Sequence, residues 1–344
     1  MEKKTIFDID KNMKENTIHG DDGFVYYDLN NKYLMGKANA EDFLRIRKDI
    51  YISENVEELK RHPAGVNICF KTNSANINIK ASLSGKAYMA HMTAVGTVGF
   101  SLYVKEGEGW LFLNSTKVNS DSYVATLEKG MDKKERDYRL YFPLYQALNE
   151  AYVGIDKDAS IKFHKLRQDN VVIYGTSISQ GGCATRPGMD YGSIFGRLTD
   201  TNVINLGFSG SCKLEENMVD VINDINKKAL ILELEANAIS IPWFEERFSY
   251  FINHLKDKDK FNIYLISHFD EAEGLVKKGY ETYRKDFYNK QKQLCNKFKI
   301  KFIDGTSIIK SVKADGSVDG VHLTDLGFYV LAQNLAKKIK LDKE

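Results

Sequence analysis

Val171-Val172-Ile173-Tyr174-Gly175-Thr176-Ser177-Ile178-Ser179-Gln180-Gly181-Gly182 is the stretch on which the fold of this chain turns. Its first four residues are apolar without alternation, the pattern of a strand buried on both faces, and the run stops at a glycine with a serine two residues beyond it. The pattern returns in Val203-Ile204-Asn205-Leu206, Leu230-Ile231-Leu232, Ile263-Tyr264-Leu265-Ile266 and Phe302-Ile303. Between and after these runs lie amphipathic segments of helical length at 193–198, 216–225, 243–255, 281–298 and 326–339. Buried strands alternating with helices predict a parallel sheet between two helical layers, a three-layer α/β/α unit.

Upstream the period is different. Val66-Asn67-Ile68-Cys69-Phe70-Lys71, Ile77-Asn78-Ile79-Lys80-Ala81 and Phe100-Ser101-Leu102-Tyr103-Val104-Lys105 alternate apolar with polar residues. Turn formers such as Thr72-Asn73-Ser74, Ser84-Gly85 and Glu106-Gly107-Glu108-Gly109 separate them, as in an antiparallel sandwich. At about 100–200 residues per domain, 344 residues accommodate two. The expected division is an all-β, jelly-roll-like sandwich over 1–165 followed by the α/β/α domain over 166–344.

Composition narrows the function classes. The 49 Lys+Arg nearly cancel the 47 Asp+Glu, leaving a formal charge of +2, and no dense basic cluster is interleaved with aromatics. That argues against nucleic acid as a partner. No apolar run approaches the roughly 18 residues of a membrane span. Met1-Glu2-Lys3-Lys4-Thr5-Ile6-Phe7-Asp8-Ile9-Asp10 has acids where a secretory signal has its apolar core, so a cytoplasmic chain is expected. Cys69, Cys183, Cys212 and Cys295 are scattered, without zinc-ligand spacing or a disulfide framework, and no metal site is expected.

In open α/β sheets, chemistry collects at the carboxyl ends of the strands. Ser177 follows the first buried strand, where a tight turn can expose its hydroxyl and a helix start can aim N–H groups at an anion; a plain Gly/Ser turn is the alternative. The segment lacks the Gly-Lys-Ser/Thr of a phosphate loop, a GxGxxG fingerprint and a GxSxG elbow. Ser179 reads as a helix cap. Gly207 ends the second strand and can bring a backbone N–H close to a reacting centre, or simply turn. Asn237, after the third strand, can offer its amide to an oxyanion or bond its own backbone. Asp319, three residues before His322, can fix the histidine tautomer and leave the other ring nitrogen as a base. His268, with Asp270 near it, is a candidate substrate contact, Trp243 a candidate wall of an acyl pocket, and Thr324 the N-cap of the last helix. Trp110, Phe112, Tyr138 and Tyr141 could stack on a sugar or pack a core.

Taken in order, Gly175-Thr176-Ser177-Ile178-Ser179-Gln180-Gly181-Gly182, Asn205-Leu206-Gly207-Phe208-Ser209-Gly210, Glu233-Leu234-Glu235-Ala236-Asn237 and Asp319-Gly320-Val321-His322-Leu323-Thr324-Asp325-Leu326-Gly327 resemble the blocks of the SGNH hydrolases, or GDSL-type esterases, over about 168–340. The upstream part is similar to the sandwich domain that precedes some of these esterases and carries a Gly-x-Asp-Leu-Tyr signature. Here it stands as Gly99-Phe100-Ser101-Leu102-Tyr103, with serine in place of the aspartate. Ala236 stands where related sequences often have proline. Arg186-Pro187-Gly188 also matches this subgroup, which makes Arg186 a candidate for positioning substrate.

The resemblance implies a serine esterase acting on short-chain acyl esters, first among them an O-acetyl group on a carbohydrate, so that the partner is a small-molecule or oligosaccharide ester. Ser177 would be the nucleophile, His322 the base and Asp319 its orienting carboxylate. The Ser177 and Gly207 N–H groups and the Asn237 side chain would form the oxyanion hole, with no metal or organic cofactor. Acyl transfer to a sugar or metabolite hydroxyl, and a carbohydrate-binding protein with lapsed catalysis, stay open, and a homo-oligomer is compatible with the sequence.

Overall fold

The computed structural model describes residues 4–18, 20, 23–269 and 272–342. Among the described residues nine strands lie upstream: β1 (Phe24–Asp28), β2 (Asn67–Thr72), β3 (Ile77–Leu83), β4 (Ser101–Glu106), β5 (Gly109–Ser115), β6 (Ser122–Glu128), β7 (Arg136–Tyr141), β8 (Leu148–Asp156) and β9 (Ile161–Phe163). They pair antiparallel in two sheets, β1-β8-β3-β6 and β5-β4-β7-β2-β9. The alternation read from sequence now has a cause. Ile77, Ile79 and Ala81 of one sheet and Ile68, Phe70, Leu102 and Leu140 of the other meet in a single sandwich core.

Downstream, β10 (Asn170–Gly175), β11 (Asn202–Gly207), β12 (Ala229–Glu233), β13 (Asn262–Ile266) and β14 (Lys301–Ile303) form a parallel sheet in the order β11-β10-β12-β13-β14. Helices flank it: α1 (Ser177–Gln180), α2 (Tyr191–Thr199), α3 (Glu216–Asn223), α4 (Ile241–His254), α5 (Tyr280–Phe298) and α6 (Asp325–Lys338). Val171 and Ile173 face the layer containing Tyr191, Phe195, Phe328 and Leu331. Val172 and Tyr174 face Met218, Phe244, Phe248 and Phe287 on the other side. Burial on both faces is why these strands do not alternate. The chain leaves β10 for β11 on one side, then crosses to β12 on the other, which opens a crevice above the carboxyl ends of these strands.

The stretch between β1 and β2 departs from the sandwich. Ala38, Ile46, Ile52 and Val56 pack into the same cluster as Val172 and Leu206, so residues far upstream of the parallel sheet help to bury one of its faces. Among the described residues no helix is long and apolar enough to cross a membrane.

Candidate active site

The turn after β10 is built around small residues. A Cβ on Gly175 would overlap Ser179 and the carbonyl of Glu233, so the chain can fold this tightly only with glycine there. Thr176 caps α1, its Oγ1 accepting from the Ile178 N–H at 3.3 Å, and α1 stops after four residues at Gly181, whose φ is +99°. Ser177 is therefore the first residue of a helix, where the N–H has no carbonyl to bond within the helix. Beneath the turn, Glu233 at the end of β12 is buried. Its Oε2 accepts from the Thr176 N–H at 3.1 Å, Thr176 Oγ1 at 2.7 Å and Ser179 Oγ at 3.0 Å. Burial pushes this carboxyl up to about 7, against the hydrogen bonds, which lower it.

The loop before α6 brings the histidine to the serine. Asp319 Oδ1 accepts the N–H groups of Val321 at 3.0 Å and His322 at 2.8 Å, which coils the loop around the carboxylate. Asp319 Oδ2 lies 2.7 Å from His322 Nδ1, and His322 Nε2 lies 2.8 Å from Ser177 Oγ. A carboxylate can only accept, so the Nδ1 side carries the proton and Nε2 is left to take one from the serine. Burial raises the Asp319 pKa, but the bonds from the His322 ring and from the His322 and Val321 backbones outweigh it and hold the carboxyl below its usual value of 3.8.

Ser177 and His322 open onto a cleft of about 460 Å³ that Gly210 and Asn237 also line. Upstream sequence lines it too, with Leu59, Tyr88, Met89, His91 and Tyr145. Asn237 Oδ1 accepts the Cys212 N–H at 3.1 Å, which fixes the amide and leaves Nδ2 as its donor at the cleft. Gly207 does not play the part expected of it. Its N–H donates to Asn205 Oδ1 at 2.8 Å, and it pairs with Gly175 inside the sheet, where a Cβ would overlap the backbone of Ser179 and Gln180. Glycine is needed there for close packing under α1, and the N–H is already spent. Gly210, three residues on at φ +65°, lines the cleft, and its N–H bonds no described residue. Ser209 anchors this loop, its N–H donating to Gln180 Oε1 at 2.9 Å and its hydroxyl 2.6 Å from the Tyr145 hydroxyl.

Three candidate substrate contacts lie elsewhere. Arg186 donates to the Tyr103 hydroxyl at 2.6 Å, and its guanidinium sits 3.6 Å from the centre of the Phe112 ring, so it fastens the sandwich to the α/β domain. Trp243, at the head of α4, is partly buried and packs against the core cluster on that face of the sheet. His268 is buried, with its N–H donating to Glu235 Oε2 at 3.0 Å, and neither it nor Trp243 lines the cleft; Asp270 lies outside the described residues. Trp110, Phe112, Tyr138 and Tyr141 do not line it either, and Tyr138 is core. In the Gly99–Tyr103 segment, Ser101 is buried and its hydroxyl pairs with that of Ser115 at 2.9 Å, while Tyr103 takes the contact with Arg186.

Sequence reading missed Arg45. This wholly buried arginine donates to the carbonyls of Gly207 at 2.6 Å, Asn205 at 3.1 Å and Leu59 at 2.8 Å, with its guanidinium 4.4 Å from the Phe208 ring. It reaches from the segment between β1 and β2 to the strand end that carries Ser209 and Gly210. Its own neighbourhood in sequence has no period that marks it.

Comparison with known proteins agrees with this two-part architecture. Residues 168–340, half of the chain, match the model of the GDSL-like Lipase/Acylhydrolase family, and residues 24–161 match the GxDLY domain, the N-terminus of SGNH-hydrolase-type esterases. A protein of Bacteroides ovatus ATCC 8483 described as a GDSL-like lipase is 28% identical, with TM-score 0.83 over 93% of this chain and 100% of that one. The fold is shared with a salicylyl-acyltransferase from a tetracycline biosynthetic pathway, at 13% identity and TM-score 0.76 over 93% and 99% of the two chains. It is shared too with a family two carbohydrate esterase from Cellvibrio japonicus, at 10% identity and TM-score 0.58 over 92% and 96%. No curated protein matches the chain significantly. With a sandwich before a parallel α/β/α domain and both halves matched in order, the chain belongs to the GDSL-like lipase/acylhydrolase family and is an esterase of the SGNH type.

Proposed function

We propose that the protein hydrolyses short-chain acyl esters, O-acetyl esters of carbohydrates in particular, through an acyl-enzyme on Ser177. The observation that carries this reading is the unbroken relay from Asp319 Oδ2 to His322 Nδ1 at 2.7 Å and from His322 Nε2 to Ser177 Oγ at 2.8 Å. Ser177 Oγ attacks the acyl carbonyl as His322 Nε2 takes its proton, and Asp319 stabilises the imidazolium. The Ser177 and Gly210 N–H groups and Asn237 Nδ2 hold the oxyanion. Collapse of the tetrahedral intermediate expels the alcohol, which takes the proton from His322. Water then repeats the sequence on the acyl-enzyme and frees the acid. The carbohydrate half of the reading is supported by the two-domain architecture in common with a carbohydrate esterase. The acyltransferase of the same fold supplies the competing outcome, delivery of the acyl group to a hydroxyl other than water.

The test is acetate release from an aryl acetate and from a panel of acetylated oligosaccharides. Ser177→Ala should abolish turnover in folded protein, and Asn237→Ala should lower kcat by about 100- to 1,000-fold. Wild-type turnover by Ser177→Ala overturns the mechanism. Acyl appearing on an added polyol faster than free acid replaces hydrolysis with transfer. Saccharide binding without turnover or fluorophosphonate labelling replaces both with a binding role.

A further inference from the structure

We propose that the mouth of the catalytic cleft binds a thiophilic divalent cation, with zinc as the type, through His91, Cys183, Asp319 and His322, and that the bound cation switches the esterase off. The second half rests on the proposed roles of Asp319 and His322; the first half does not.

One donor atom from each of these four residues lies within 4.8 Å of all the others. They come from separate parts of the chain: His91 from the upstream domain, Cys183 from the turn after α1, and Asp319 and His322 from the loop before α6. Zinc bonds of about 2.0–2.3 Å in a tetrahedron set ligand atoms about 3.3–3.8 Å apart, so no pair has more than about 1.5 Å to close. Two of the four can move to meet that. His91 is 44% exposed, makes no side-chain hydrogen bond among the described residues, and already holds Nε2 3.9 Å from Asp319 Oδ2 with its ring edge-on to that of His322. Asp319 is held by backbone N–H groups on its other oxygen, so turning Oδ2 to a cation costs it only the His322 ring bond.

Cys183 supplies the soft donor of the set and lines the cleft beside the relay. One thiolate, two imidazoles and one carboxylate favour zinc or cadmium over calcium or magnesium. Whichever ring nitrogen of His322 the cation occupies, the relay is cut, at Asp319 if Nδ1 and at Ser177 if Nε2.

Binding is read on Ser177→Ala, which keeps all four donors, by titrating cadmium and following the ultraviolet charge-transfer band of a cadmium–thiolate bond. Inhibition is read on the active enzyme with zinc, each variant against its own metal-free rate, and reversal by a chelator. The expectation is one equivalent bound, a band that disappears in Ser177→Ala/Cys183→Ser, and an inhibitory zinc concentration raised about tenfold or more by His91→Ala and by Cys183→Ser. Absence of saturable binding, a band that survives Cys183→Ser, or zinc inhibition unchanged in His91→Ala overturns the site. Cadmium binding with the expected band in a protein that hydrolyses no ester supports the site and overturns the esterase mechanism, so the two failures are distinct.

Discussion

Glu233→Gln should make the protein more stable above neutral pH than below it, relative to the wild type. The carboxyl is buried under the turn that carries Ser177 and its pKa rises from 4.5 to about 7, burial being the dominant cause. Between these values the folded protein holds a proton that the unfolded chain has released. The unfolded state then binds fewer protons, and wild-type stability falls as pH rises through the window. At 1.36 kcal/mol per pH unit of difference, this one group removes about 3 kcal/mol by the time the folded carboxyl ionises. Below pH 4.5 both states are protonated and the penalty is absent. Glutamine presents a neutral oxygen where Oε2 now accepts from the Thr176 N–H, Thr176 Oγ1 and Ser179 Oγ, and it never ionises. Urea unfolding of both proteins at intervals from pH 4 to 8.5 isolates the group, because titrations common to the two cancel in the difference. The difference should climb by about 3 kcal/mol in favour of the variant across the window. A flat difference, or one that climbs in favour of the wild type, refutes the claim that a buried carboxyl titrating near neutrality sits under Ser177.

Two further substitutions probe the strand end beside the serine. Gly207→Ala drives a methyl into the backbone of Ser179 and Gln180, which cannot give way as a side chain can, and should cost about 3 kcal/mol or more of stability together with most of the turnover. Gly210→Ala meets no neighbour within 4 Å and should cost only the left-handed strain of about 1–2 kcal/mol, with a smaller loss of rate; equal stability losses measured by urea unfolding refute the assignment of packing to Gly207. Arg45→Met strands the carbonyls of Gly207, Asn205 and Leu59, each worth about 1–3 kcal/mol, and relieves the cost of burying a cation, for a net loss of about 2–4 kcal/mol. Its kcat should fall even where the protein remains folded by circular dichroism, and an undiminished kcat refutes a role for Arg45 in bracing this loop.

The parts of the fold that could be read from sequence are those where one local pattern has one physical cause. Val171–Tyr174 is apolar throughout because helices cover both faces, and Ile77, Ile79 and Ala81 alternate because one face of their sheet meets the sandwich core. Ser177 and the Asp319–His322 pair were legible for a similar reason. A serine two residues past a strand-ending glycine and a carboxylate three residues before a histidine are arrangements fixed by a few bonds of local chain. Gly207 and Gly210 show where this stops. The sequence offers two glycines three residues apart, and only the register with Gly175 shows that the first is still inside the sheet. Trp243 and His268 fail in the same way, since position in a loop does not say whether a side chain turns to the cleft or to the core. Arg45 was out of reach altogether. Its partners are carbonyls at Leu59, Asn205 and Gly207, and carbonyl acceptors leave no mark in an amino-acid sequence.

Arg45 also bears on why this esterase carries a sandwich at all. The parallel sheet could in principle bury itself with its own helices, yet Ile46 and Val56 complete one of its faces and Tyr145 reaches the loop of Ser209 through a 2.6 Å hydroxyl contact. On the far side, the tyrosine of the Gly99–Tyr103 segment meets Arg186, and Arg197 stacks on the same ring at 4.3 Å. The Arg45 and Tyr145 contacts join the upstream chain to the end of β11 and to the turn after β10, the two strand ends that supply the serine and the cleft glycine. A contact that held the domains together only at a distance from the chemistry would leave the loop positions to the loops themselves. Contacts placed at the strand ends instead make the geometry of the site depend on domain docking. The signature tyrosine is then best understood as a structural tie: it holds the arginine that follows the Ser177 turn, and it needs no carboxylate at position 101 to do so, because Ser101 already satisfies itself on Ser115 within the sheet.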